Sequence, residues 1–135
     1  MTNTLDEWEE LYGIEKSFGD PGDRLLSLIP KIAKKTGKQV VILIDEYDRP
    51  ILDNIGDLSL MQEMQESLKN FYGAIKPLDR YLKFVLLTGV SKLAITGIFS
   101  GLNNLRDITL NSGYSVICGY SQENLETIFI EYLKG

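Results

Sequence analysis

Val41–Asp48 reads VILIDEYD: four apolar residues, two adjacent carboxylates, a tyrosine and a third carboxylate. With the two residues before it, the run Gln39–Ile44 (QVVILI) predicts a strand. Its unbroken apolar character predicts burial on both faces, as in a parallel sheet covered by helices. Asp45 and Glu46 then stand where that strand emerges at its carboxyl edge, the edge at which ligands bind in open α/β sheets. A second run, YLKFVLLTGVS from Tyr81 to Ser91, repeats the arrangement: a strand through Leu87 that ends in a hydroxyl residue, Thr88.

Working outward, the stretches between these strands carry helical periodicity. Thr4 and Glu7 have capping-box spacing, and Leu5, Trp8, Leu11 and Tyr12 follow at helical intervals, so a short helix ending near Gly13 is expected. Asp20 and Pro21 are placed to start a second helix, with Leu25, Leu26, Ile29, Ile32 and Ala33 as its apolar face. Pro30 should bend that helix, Lys34 and Lys35 suit its C-terminus, and Gly37 is a natural stop. Ser59 is the expected cap of a long helix to about Ile75, with Leu60, Met64, Leu68, Phe71 and Ile75 on one side and Pro77 beyond its end. Ile95 to Leu105, rich in Gly and Asn, has room for a short helix at most. Tyr114 to Ile117 is expected as a third strand, and Ser121, with Glu123 and Asn124, opens a last helix to about Leu133. The order predicts an α/β layered fold with a parallel sheet. With no internal repeat or linker, one domain is the economical reading.

Composition narrows the function classes. The 135 residues carry a net charge of −5, and no Lys/Arg block forms the stripe expected of a nucleic-acid-binding face. The chain has no histidine, which removes Ser–His and Cys–His nucleophile pairs and most zinc sites. One cysteine, Cys118, rules out an internal disulfide and makes a reducing compartment the default. Between Ile117 and Gly119 it reads as a small buried residue. The N-terminus is polar and acidic, and no apolar run approaches a membrane span, so a cytoplasmic location without membrane contact is expected.

An aspartate–glutamate pair at the end of a buried parallel strand suits phosphoryl transfer. A hard cation prefers carboxylate oxygen, and the reaction is mostly positioning plus charge neutralisation. The plainer reading of the pair is a solvated strand end or helix cap, and that of Thr88 and Ser91 is turn and cap chemistry. Taken together, IDEYDRPIL (44–52), LLTGVSKLAITGIFSGLNNLRDIT (86–109) and CGYSQENLETIF (118–129) resemble the bacterial AAA-ATPase-like family. In that family the ATPase domain commonly precedes a PD-(D/E)XK-type nuclease domain. The resemblance covers about residues 23 to 133. It implies a three-layer partial P-loop NTPase-like fold, with a mainly parallel sheet of about three strands. It also implies Asp45 as the magnesium-associated Walker B carboxylate, Glu46 as the catalytic base and Thr88 as the sensor. Asp48 and Arg49 fall in the family's DEYD-basic-Pro signature; read from the residues alone, Asp48 caps the next segment and Arg49 pairs with it.

One departure from the family is large. A phosphate-binding loop needs G-x-x-x-x-G-K-[S/T]. The Gly37-Lys38 pair is followed by Gln39, has Ile32 where the first glycine belongs, and precedes a strand instead of opening a helix. The chain is therefore expected to be a truncated gene product or a piece of a longer ATPase, lacking the Walker A segment and the lid. Magnesium and ATP are implied for the intact domain, with neither held tightly by this chain. Two other classes compete. One is a non-catalytic interaction module; the other is a metal-dependent hydrolase or nuclease using Asp45, Glu46, Asp48 and Asp53. Arg80 and Arg106 are candidate arginine fingers, though surface arginines are mostly solvated or weakly paired. Tyr47, Tyr72 and Tyr114 read as packing residues before adenine stackers. An unpaired sheet edge at Lys83 to Leu87 is expected either to recruit a second copy, giving a homodimer, or to take in Tyr114 to Ile117, the dimer being preferred.

Overall fold

The computed structural model describes residues 2–90, 95–99, 101–117 and 119–133. Ser91 and Cys118, read above as turn-forming and as small and buried, lie outside the described residues. The chain divides into two compact units, one running to Asn104 and the other starting at Leu105.

In the first unit, α1 (Thr2–Leu11) starts two residues before the expected cap, so Thr4 lies inside the helix. Only Leu5 of its apolar stripe is fully buried, Trp8 and Leu11 being exposed; the other buried side chain is Glu9. The second helix, α2 (Pro21–Thr36), begins as the sequence predicts. The Asp20 carboxylate accepts from the amides of Gly22 and Asp23 at 2.8 and 3.1 Å, and Pro21 fills the first turn. Gly37 ends it in the left-handed conformation (φ 67°), its amide bonding Ala33 O at 2.9 Å. Helical structure continues through Pro30. Buried Leu25, Leu28, Ile29 and Ile32 pack α2 against α1 and α4, and against the 3-10 turn that precedes the second strand.

Strand β1 (Val40–Ile44) leads through α3 (Arg49–Leu52) to α4 (Leu58–Gly73). Asp57, not Ser59, caps α4, accepting from Ser59 and Leu60 amides at 3.0 Å each. The cap thus falls two residues earlier than expected: an aspartate takes the first-turn amides, and Ser59 becomes a first-turn residue. The buried side of α4 is Leu68 and Tyr72, with Ile75 just beyond its end, while Leu60 is exposed. A 3-10 turn, Lys76–Tyr81, carries Pro77 and delivers strand β2 (Leu82–Leu87), after which comes α5 (Ile95–Ile98).

β1 and β2 pair in parallel, Val41 opposite Phe84 and Ile44 opposite Leu87. Among the described residues the sheet has these two strands, not three. The strands are also not covered on both faces. In β1, Val40, Ile42 and Ile44 are half-buried, while Val41 is 48% and Leu43 68% exposed. Phe84, on the same face as Val41 by register, is 53% exposed. The described residues thus bury one face of the sheet, which corrects the three-layer expectation.

The second unit holds the missing strand's sequence. Tyr114–Ile117 is not a strand: Ser112–Tyr114 forms a 3-10 turn, and the amide of Ile117 bonds Tyr114 O at 3.1 Å. The turn starts from Asn111, whose side-chain oxygen accepts from Gly113 N at 2.9 Å. This Asx geometry, with a glycine at its centre, outweighs the β-preference of four residues. Helices α6 (Gln122–Thr127) and α7 (Ile130–Leu133) replace the single expected helix. Ser121 and Asn124 form a reciprocal capping box. The break falls in Thr127–Ile130, a β-branched and aromatic run with poor helix propensity. There the Phe129 ring packs edge-on to Tyr120 at 4.7 Å. Among the described residues no helix is long and apolar enough to cross a membrane.

Candidate functional site

Parallel pairing of β1 with β2 brings their carboxyl ends side by side. The Thr88 amide bonds Ile44 O at 2.9 Å, extending the ladder one step past the strands. The Thr88 hydroxyl thereby reaches Asp45 and donates to its Oδ1. Two residues separated by 43 positions, both singled out from sequence, are in direct contact. Asp45 is exposed and Thr88 half-buried, so the pair borders solvent.

Glu46 occupies the left-handed region at φ 52°, uncommon for a residue with a side chain and worth about 1–2 kcal/mol of local strain. Its amide bonds Asp45 Oδ1 at 3.0 Å, so one carboxylate oxygen of Asp45 accepts from both Glu46 N and the Thr88 hydroxyl. The exposed Glu46 carboxylate lies 3.3 Å from Arg49 Nη1. Arg49 Nε donates to Asp53 at 2.7 Å, and its guanidinium is held still more firmly protonated, first by Asp53 and then by Glu46. The expected Asp48–Arg49 pair is therefore corrected: Arg49 turns to the two flanking carboxylates. Glu46, three residues before it, and Asp53, four residues after it, flank α3 and stand at helical spacing from Arg49.

Asp48 also departs from expectation. It precedes α3 at the N-cap position but makes no side-chain cap bond. It is fully buried, and both carboxylate oxygens lie within reach of the Val90 amide, at 3.0 and 3.2 Å. Tyr47 is buried beside it. The Tyr47 amide bonds Thr88 O at 3.0 Å, and its ring meets Phe99 edge-on at 5.0 Å. Tyr72 packs against Phe99 at 5.1 Å, and its hydroxyl reaches Tyr47 O at 3.4 Å. Burial, with Tyr47 and the Asp48 charge behind it, pushes the Tyr72 phenol up to about 12. Tyr47 and Tyr72 are thus packing residues, as read from sequence.

The four carboxylates of the nuclease reading do not converge. Asp45 faces Thr88, Glu46 and Asp53 flank Arg49, and Asp48 points at the Val90 amide. Among the described residues no group of three or more His, Cys, Asp and Glu side chains could hold a metal. What is present fits a different arrangement: one open carboxylate with a hydroxyl beside it. Magnesium is commonly held that way, by one or two carboxylates with substrate phosphate and water completing its shell. Asp45 would hold the ion, most simply through water.

A groove of about 300 Å³ runs beside the acidic pair, between Thr4, Leu5 and Trp8 of α1 and the segment Leu43–Tyr47. A wider hollow lined by Lys31, Lys34 and Lys35 lies at the C-terminal half of α2. That part of the helix leads into the start of β1, the opposite end from Asp45. Arg80 likewise precedes β2, and its guanidinium stacks over Tyr81 at 4.6 Å. It stands at the amino end of the strands, away from Thr88. Gly37 closes a helix and leads into a strand, so the Gly37-Lys38 pair has no phosphate-loop geometry.

Sequence reading missed the closeness of Gly89 to the acidic loop. A Cβ there would stand 2.5 Å from Tyr47 Cε1 and 2.8 Å from Asp48 Oδ1. The available signal was a glycine directly after the strand-end hydroxyl, where only hydrogen fits a close approach.

A family model described as Predicted AAA-ATPase matches residues 1–99. An uncharacterised protein in the vnfD 5' region of Azotobacter chroococcum mcd 1 is 39% identical over 127 residues, 94% of this chain. The chain spans a quarter (25%) of that relative's length. No solved structure matches.

Proposed function

The chain belongs to the predicted AAA-ATPase family, and from that premise we propose that the joined ends of β1 and β2 are the hydrolytic half of an ATPase site. The observation that carries the reading is the bond from the Thr88 hydroxyl to Asp45 across two adjacent parallel strands. Asp45 is the magnesium-associated carboxylate. Glu46, exposed beside it, orients and deprotonates the attacking water. Thr88 is the sensor, near enough to the metal-side carboxylate to contact water or the γ-phosphate. Magnesium, when bound, neutralises charge on the phosphates; the chain's own groups orient the water and accept its proton.

Phosphate binding itself needs backbone amides and a lysine that these residues do not provide. The chain alone is therefore expected to bind Mg-ATP weakly. Low-micromolar affinity by calorimetry would contradict that division of labour. In a family chain that also carries the glycine-rich loop, Asp45→Asn and Thr88→Ala should each cut ATP turnover by about a hundredfold or more, the scale of a lost transition-state contact. Turnover within threefold of the parent in both would remove the assignment.

For the chain by itself we propose a homodimer. Val41, Leu43 and Phe84 form an open apolar sheet face, and the outer edge of β2 is unpaired among the described residues. Such edges and faces recruit strands or apolar partners, and a closed two-fold contact is the commonest way to cover them. No basic stripe accompanies the face, which speaks against nucleic acid as its occupant.

A further inference from the structure

Asp48 has no part in the proposed chemistry, yet it is the most deeply buried carboxylate near the site, with 0% exposure. Burying a charge is costly unless hydrogen bonds compensate. A residue at the N-cap of a helix would ordinarily spend its oxygens on the first-turn amides. Asp48 does not; its carboxylate accepts from Val90 N, 42 positions away, on the loop that follows Thr88.

That loop is fastened on both sides of Thr88. Before it, the Thr88 amide bonds Ile44 O at 2.9 Å; at it, Thr88 O accepts from Tyr47 N at 3.0 Å. After it, Val90 N is held by Asp48 at 3.0 Å. Between them Gly89 lies so close to the Tyr47 ring and the Asp48 carboxylate that no side chain fits. The Thr88 hydroxyl donates to the Asp45 carboxylate. Reacting groups misplaced by about 1 Å lose large factors in rate, so a fixed backbone on either side of a sensor has a chemical use.

We propose that Asp48 is a positioning residue: through the Val90 amide it sets where the Thr88 hydroxyl stands over Asp45. The consequence for turnover rests on the ATPase reading above; the positioning itself does not. The test is amide hydrogen exchange by NMR on this chain, comparing the parent with Asp48→Ala, Asp48→Asn and Gly89→Ala. In the parent, the amides of Tyr47, Thr88 and Val90 should exchange slowly, each being hydrogen-bonded. Asp48→Ala should speed all three by about tenfold or more, the loss of a charge-assisted bond, while Val85 and the middle of α4 hold their rates. Asp48→Asn keeps an acceptor oxygen and should restore most of the protection.

Faster exchange at Val90 with Thr88 and Tyr47 unchanged would overturn the proposal. A uniform rise without rescue by asparagine would overturn it equally, since that is a merely structural role. If the alanine variant does not fold, Gly89→Ala decides: opening at the same three amides supports the clasp, and undisturbed protection rejects it. In a family chain carrying the glycine-rich loop, Asp48→Ala should lower kcat with little change in KM for ATP. No turnover in the unsubstituted chain would count against the ATPase reading while leaving the exchange result standing.

Discussion

Two regions of the first unit use carboxylates in opposite ways. At the joint of α1 and α2, Glu9 is buried with Arg24; the two are 2.6 Å apart, and Asp6 reaches the same guanidinium nitrogen at 2.6 Å. Arg24 Nε is buried with no partner, so even this closed network leaves one donor unmet. At the carboxyl end of the sheet, Asp45 and Glu46 are open, Glu46 in a strained backbone conformation. The first region spends charge on holding a helix in place. The second holds charge at the surface, where solvent or a ligand can meet it, and hides only Asp48. A buried pair makes folding depend on both partners, whereas an exposed carboxylate can be changed with little effect on the fold.

The largest effects should come from the joint. Leu28, fully buried on α2, is the reference: Leu28→Ala should cost about 3 kcal/mol in urea unfolding. Arg24→Met should also destabilise markedly, because it leaves the Glu9 carboxylate buried without its cation. Its signature is pH. Lys16 and then Arg24 hold Asp6 below the ordinary carboxylate range; burial pushes Glu9 up, but Arg24 and the Ser17 amide outweigh it and leave it lowered as well. Their contribution is complete above about pH 4–5 and is lost as pH falls through the lowered values. Melting temperature against pH should therefore fall below pH 5 in the parent and less steeply in Arg24→Met. Parallel curves would mean that the joint does not carry the acid sensitivity.

Next in size is Gly89→Ala, within the second region. The added methyl meets the Tyr47 ring and should cost about 1–3 kcal/mol by the same unfolding measurement. A neutral result would show that the loop moves freely off Tyr47. Tyr72, behind that ring, gives an alkaline counterpart. Its folded pKa is raised to about 12, so stability present below about pH 10 should decline as pH rises from 10 toward 12. Tyr72→Phe should flatten that limb.

The smallest stability effects belong to the open carboxylates. Asp45→Asn and Glu46→Gln should each lie within about 0.5 kcal/mol of the parent, as surface substitutions do. The open sheet face is tested by association instead. Light scattering over a concentration series should show a dimer for the parent and a monomer for Leu43→Lys, with melting temperature little changed. A parent that stays monomeric throughout would reject the homodimer.

Much of the frame was legible because it is written in local chemistry. Asp20-Pro21, Gly37 and Ser121 mark helix ends through short-range geometry, and the two apolar runs with polar residues at their carboxyl ends give both strands. Asp45 and Thr88 were each singled out, but that they touch emerges only from the parallel pairing of those strands. Features that depend on distant partners were not legible. Nothing in the spacing of Glu9 and Arg24 says that they meet, and Asp48 reads as a cap until Val90 is brought beside it. The third strand failed because the turn chemistry of Asn111–Gly113 competes locally with a weak β signal. The two-faced burial of β1 failed because an apolar run states a need for cover without saying that these residues supply it.

The most direct measurement of the central claim separates binding from chemistry at Glu46. In a family chain carrying both the glycine-rich loop and this segment, Glu46→Gln should bind Mg-ATP with an affinity close to the parent's and show no single-turnover hydrolysis, since only the proton acceptor is removed. Hydrolysis at the parental rate in that variant would contradict the account.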